Sequence, residues 1–331
     1  MPRYGFNFLW MFICPEDRVP GPVDEKALDF MVAHGFDFVR LPTDYRFWIS
    51  DHRYEEPEEA PLKAIDGYIA ACRQRRLHAN LNLHRAPGYC INRPDLEIHN
   101  LWTDEIAQDA FVFQWEMFAR RYKGISGDEL SFDLVNEAPH VGRDHFTREV
   151  YEKIMRRTTA AIRAIDPQRP VTVDGINGGG GAIPELADLG VVHSTRGYAP
   201  MTVSHHRAGW WNFEGEWPEP VYPHRDADGK YWDKEALRLF YQPWLDVQAK
   251  GVDVHVGEFG CYKYTPNVSA IAWLGDLLSL FKEFGWGYSP WNFKGDFGFI
   301  GHDRPGVRYE TYGGYEKVDR QYLDLLMANR I

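Results

Sequence analysis

The strongest constraint on this chain is an eight-fold alternation of short apolar runs with longer segments of helical periodicity. Residues 4–12 read as a first strand, and Val23 to His34 then places Ala27, Leu28, Met31 and Val32 at helical spacing before Gly35. Phe36 to Leu41 is a second strand, residues 62–76 a second helix, Leu77 to Leu83 a third strand, and about Asp104 to Tyr122 a long helix. A fourth strand ends in Asn136-Glu137, a helix covers about Phe146 to Ile165, and strands five and six begin near Pro170 and Val191. An insertion at about 201–233 follows. Lys234 to Lys250 is then a helix, Val252 onward a seventh strand, Val268 to Phe284 a helix, Trp286 to Trp291 an eighth strand and Asp319 to Asn329 a closing helix. Strands that alternate with helices build a parallel sheet, and eight such units without an internal linker favour an α/β (β/α)8 TIM barrel, a single domain over 1–331, above a doubly wound open sheet.

The 331 residues are compatible with such a barrel, and the 44% hydrophobic fraction supplies a sizeable core. A net charge of −11 disfavours nucleic acid and anionic membranes as partners. Twelve tryptophans are many, but a large core and a sugar-binding cleft both use them. Cys14, Cys72, Cys90 and Cys261 lie far apart without zinc-like spacing, so reduced thiols are expected. No secretion or membrane signal is visible in the first residues, which sets the expectation of a cytoplasmic protein. The glycine run Gly175–Gly181 lacks both the P-loop Lys-Ser/Thr and the GxGxxG order, and reads as a flexible loop after strand five rather than a nucleotide site.

In a parallel barrel the residues at strand C-termini gather on one face, where catalysis is built. Here the tips read Arg40, His84, Asn136-Glu137, Tyr198, Glu258 and Trp291, six positions on six strands. Each alone has an ordinary structural explanation, a satisfied His or an ion-paired Glu. Together they place two carboxylates, Glu137 and Glu258, where glycosidic bond cleavage needs a pair.

In these residues the chain resembles glycoside hydrolase family 5, the cellulase-like members of a clan of retaining (β/α)8 glycosidases, over roughly residues 5–325. The family's strand-two Arg matches Arg40, and its strand-three His matches His84. Its Asn-Glu-Pro signature reads Asn136-Glu137-Ala138-Pro139, its strand-seven Glu is Glu258 and its strand-eight Trp is Trp291. The resemblance implies double displacement, with Glu258 as nucleophile, Glu137 as acid/base and carboxyl groups about 5–5.5 Å apart. It further implies Asn136 on the sugar 2-hydroxyl, Trp291 under the ring, Arg40 and Tyr198 beside Glu258, and no metal or organic cofactor.

Two departures stand out. Ala138 takes the place of the usual proline, and the strand-six His-x-Tyr reads Arg196-Gly197-Tyr198. An Arg beside Glu137 would oppose general-acid work, so either Arg196 points at substrate or at another acid, or His205 or His206 takes that place. The insertion carries Trp210, Trp211, Phe213, Trp217 and Trp232 with Glu214 and Glu216. It reads either as a satellite core or as a cover whose Trp210, Trp211 or Trp217 stacks on sugar. The resulting expectation is a retaining β-glycosidase acting on β-linked gluco- or manno-configured oligosaccharides or glycosides. The alternatives are an endo-β-1,4-glucanase or mannanase, and a carbohydrate-binding barrel without turnover.

Overall fold

The computed structural model describes residues 1–211, 218–226 and 228–331. In chain order it runs β1 (Gly5–Asn7), α1 (Glu25–Ala33), β2 (Phe38–Asp44), α2 (Glu59–Gln74), β3 (His78–Arg85), α3 (Glu105–Arg121), β4 (Leu130–Asp133), α4 (Arg148–Ile165), β5 (Val171–Asp174) and β6 (Val192–Gly197). The region after strand six holds α5 (Met201–Ser204) and the antiparallel pair β7 (His224–Arg225) and β8 (Tyr231–Trp232). Then come α6 (Lys234–Phe240), α7 (Gln242–Gln248), β9 (Val254–Phe259), α8 (Asn267–Phe284), β10 (Gly287–Tyr288), the hairpin β11 (Glu310–Tyr312) and β12 (Tyr315–Val318), and α9 (Arg320–Ala328).

Eight of the strands form one sheet in the order β1-β2-β3-β4-β5-β6-β9-β10. Tyr4, just before β1, bridges Tyr288 of β10 in parallel, and Asn7 N–H donates to Pro290 O at 3.1 Å. The first strand thus meets the last, and the fold is a (β/α)8 barrel with β9 and β10 as its seventh and eighth strands. Asn7 is fully buried, and its amide Nδ2 also donates to the carbonyls of Gly257 (2.9 Å) and Ser289 (3.1 Å). One polar side chain thereby ties the start of the chain to the two closing strands.

The described residues fall into two compact units. One comprises Met1–Asn7, Arg196–Asp246 and Val254–Ile331; the other comprises Phe8–Thr195 and Val247–Asp253. In the second, β2 and β3 pair from Phe38↔His78 to Thr43↔Leu83, and β3 and β4 from Ala79↔Leu130 to Asn82↔Asp133. The helices cover this sheet with apolar stripes. In α4 the buried positions Tyr151, Ile154, Met155, Thr158 and Ile162 recur three or four apart, and Thr147 caps the helix by accepting Val150 N–H. Arg169, 2% exposed, satisfies the carbonyls of Leu130 (2.7 Å), Ile125 (2.9 Å) and Tyr122 (3.0 Å) where β4 begins. A buried cation there is tolerated because its donors are paired.

The sequence overreaches in two places. The first strand stops at Asn7 and does not run on to residue 12. Lys234 to Lys250 is two helices rather than one, divided at Tyr241. Pro243 explains the break, since its ring clashes with the carbonyl four residues back and it donates no N–H. Between β5 and β6, where the sequence is read as a loop, there is a single 3-10 turn, Pro184–Leu186. All four cysteines are free thiols. Among the described residues no helix is long and apolar enough to cross a membrane.

Candidate active site

Strand β2 delivers Arg40, which is 1% exposed, into a buried polar cluster. Its Nε donates to Asp133 Oδ2 at 2.7 Å, and one Nη donates to Asn136 Oδ1 at 3.0 Å. The same Nη2 lies 3.7 Å from Asp174 Oδ2. Asp133 and Asp174 are the last residues of β4 and β5. His84, near the end of β3, is 3% exposed, with Nε2 3.1 Å from Asn92 Oδ1 and its ring edge-on to Phe12 at 4.4 Å.

Strand β4 ends at Asp133, so Asn136 and Glu137 belong to the segment that leaves it. Asn136 N–H donates to Leu83 O of β3 at 3.1 Å, which carries the sheet's spacing beyond the strand proper. Glu137 is half-buried and has φ of +45°, a left-handed conformation that costs a residue with a Cβ about 1–2 kcal/mol. Two bonds hold it there. Its N–H donates to Asp174 Oδ2 at 3.0 Å, and its carbonyl accepts the Tyr89 hydroxyl at 2.5 Å. Proline at 139 instead of 138 suits this geometry, because a residue directly before proline is driven toward extended backbone.

In the other compact unit, Arg196 near the end of β6 and Tyr198 just beyond it flank Gly197. Side chains alternate along a strand, so Arg196 and Tyr198 share one face. The opposite face has no room, because a Cβ at Gly197 would lie 2.5 Å from Phe259 Cβ and 3.1 Å from the Phe281 ring. Arg-Gly-Tyr thus places two polar groups on one side and a close approach on the other. Both polar groups address Glu258 of β9, which is 3% exposed. Arg196 Nη2 lies 3.3 Å from Oε1, and the Tyr198 hydroxyl donates to Oε2 at 3.0 Å. Of the alternatives open for Arg196, the structure directs it at another acid.

Backbone contacts hold these donors. Tyr241 OH donates to Arg196 O at 3.1 Å, and Ser204 Oγ donates to Tyr198 O at 2.5 Å. His205 stands edge-on to the Tyr198 ring at 4.9 Å with Nδ1 2.9 Å from Ser204 Oγ. Burial holds its imidazole down to about 3, so it is neutral in the folded protein, and burial also lowers His206. Trp291 N–H donates to Phe259 O at 2.7 Å, and the Trp291–Asn292 peptide bond is cis. Trp291, Tyr198 and Trp211 are partly buried against Ala208, Tyr262 and Phe297. Trp210 is 55% exposed and meets the Tyr262 ring edge-on at 4.9 Å. Trp232 is a core residue of the small hairpin, donating to Asp226 Oδ2 at 2.8 Å with Lys230 Nζ 3.7 Å above its ring. Phe213, Glu214, Glu216 and Trp217 lie outside the described residues.

Asp133, Asp174, Asn7 and Tyr89 are the contributors that sequence reasoning missed. The two aspartates carried the signal already used for Glu137 and Glu258, a carboxylate ending an apolar run.

Arg40, expected at a strand tip, is the third residue of β2, which runs on to Asp44. A (β/α)8 barrel whose seventh strand carries a buried, Arg-paired carboxylate fits the class of (β/α)8 glycoside hydrolases. A family profile described as Cellulase (glycosyl hydrolase family 5) matches residues 13–296. Endoglucanase C of Acetivibrio thermocellus is 30% identical over 313 residues, covering 87% of this chain and 89% of that one. Cellodextrinase A of Ruminococcus flavefaciens is 23% identical, covering 83% and 80%. A solved structure of a glycoside hydrolase is 56% identical and superposes over 100% of both chains with a TM-score of 0.98. The protein belongs to glycoside hydrolase family 5 and is a glycoside hydrolase; its family implies a retaining β-glycosidase.

Proposed function

We propose that the protein hydrolyses β-linked gluco- or manno-configured oligosaccharides or glycosides, with Glu258 as nucleophile and Glu137 as acid/base. The observation that carries this reading is the setting of Glu258, a buried carboxylate receiving a donor on each oxygen, from Arg196 and Tyr198. Donors on both oxygens complement an anion and fix its direction, which a nucleophile requires.

In the first step Glu258 attacks C1 and the glycosidic C–O bond breaks as Glu137 gives its proton to the departing oxygen. In the second, Glu137 takes a proton from water, whose oxygen attacks C1 and frees Glu258. Asn136, oriented by Arg40, binds the sugar 2-hydroxyl, and Trp291 lies under the ring. The names endoglucanase and cellodextrinase borne by two relatives support a gluco-configured substrate, and the second supports a short one.

The test is proton NMR of the first-formed anomer from defined β-linked oligosaccharides, with Glu258→Ala and Glu137→Ala alongside. Retention and loss of turnover in both variants are expected. An inverted product overturns the mechanism, and full activity of either variant overturns the assignment. Release of internal fragments from soluble cellulose derivatives identifies endo action.

A further inference from the structure

The glycine run after β5 has no role in the reaction as described, and neither has Asp174, yet both close on one segment. Asp174 Oδ2 accepts Glu137 N–H at 3.0 Å. Just beyond it, Gly178 N–H donates to Ala138 O at 2.9 Å and Asn177 N–H donates to Pro139 O at 3.0 Å. Asn177 Oδ1 accepts Val141 N–H at 3.1 Å. The loop is itself closed by reciprocal bonds between Ile176 and Gly181, 3.0 and 2.8 Å. Asn177, Gly178 and Gly179 have φ of +56°, +68° and +79°. Successive positive φ values turn the loop's N–H groups outward, a path that glycine takes without steric cost and asparagine tolerates.

We propose that Asp174 and the Asn177–Gly178 turn are positioning residues for the acid/base: they clamp residues 137–141 from the β5 side and hold Glu137 in its left-handed conformation. Asp174 is fully buried, and its anchorage is independent of the loop. Its carbonyl accepts the Tyr151 hydroxyl at 2.5 Å, and its carboxylate lies 3.7 Å from Arg40 Nη2, the guanidinium that also orients Asn136. One buried carboxylate therefore connects the group that binds Asn136 with the backbone of Glu137. This inference rests on the acid/base reading of Glu137.

A displaced general acid harms substrates in proportion to how much their leaving group needs a proton. The experiment measures kcat/KM for a 2,4-dinitrophenyl β-glycoside, which leaves unaided, and for the phenyl β-glycoside of the same sugar. The full-length wild type is compared with Asp174→Ala, Asp174→Asn and Glu137→Ala, with thermal unfolding followed for each. Asp174→Ala is expected to lose about 100-fold on the phenyl glycoside and less than about 5-fold on the dinitrophenyl one. Asp174→Asn keeps an acceptor for the Glu137 N–H and is expected to recover most of the phenyl activity. Equal loss on both substrates, or none on either, overturns the clamp. Should Asp174→Ala not fold, the same split read on Gly178→Ala decides the case, and its absence there overturns the proposal. A split in Glu137→Ala without one in the clamp variants overturns the clamp alone; no split in Glu137→Ala overturns the acid/base reading itself.

Discussion

Arg196 Nη2 stands 3.3 Å from Glu258 Oε1, with both side chains less than 5% exposed. The family resemblance implies His at this position, and a fixed cation beside the proton donor would oppose its release of a proton. The pairing with Glu258 gives the cation a carboxylate to orient. Arg196→Ala removes a charge-assisted bond worth about 1.5–3 kcal/mol, so kcat/KM is expected to fall about 10–100-fold. With Glu258 as the proposed nucleophile, which acts on every substrate, good and poor leaving groups are expected to suffer alike. Michaelis–Menten kinetics on an aryl glycoside series check this, and a loss confined to poor leaving groups would refute it.

Stability is expected to fall on mild acidification. Burial lowers His205 to about 3 and His193 to about 4, against an ordinary value of 6.5. Between those limits the unfolded chain binds protons that the folded chain refuses, so stability rises with pH across the window. The unfolding midpoint should therefore drop steadily as pH falls from about 6.5 toward 4. A His205→Gln variant should show a shallower decline over that range. A slope identical to the wild type's in a calorimetric pH series would count against His205 as a contributor.

Trp210 exposes more than half of its surface and rests edge-on against Tyr262. If its free face receives a sugar, Trp210→Ala loses about 1–1.5 kcal/mol of stacking, a KM increase of about 5–10-fold for oligosaccharides that reach it. Aryl monoglycosides should be affected much less. A chain-length series of substrates separates the two, and a uniform effect would assign Trp210 to the satellite core.

The strand ends were legible because each polar tip interrupts an apolar run, and that pattern survives ignorance of the fold. His84 and Glu258 carry this mark and lie one residue from the ends of β3 and β9, whereas Arg40 lies early in β2, which continues to Asp44. Asp133 and Asp174 bear the same mark, but an aspartate at a strand end also reads as a simple terminator, and only their partners reveal more. The partner of Arg196 was illegible for a different reason. Which acid it meets depends on which strand lies beside β6 and on the steric demand at Gly197, and neither is local in sequence. The break at Pro243 was plainly written, and helical spacing alone passed over it.

Glu137 is an L-residue in a conformation that glycine prefers. Alanine at an ordinary site is the safer replacement; here the order should invert. Glu137→Gly and Glu137→Ala both lack the carboxylate, and the glycine variant is expected to be the more stable by about 1 kcal/mol in urea titrations. Selection for robustness alone would then erode this position toward glycine. A glutamate on a backbone that favours glycine accords with the acid/base role proposed for it.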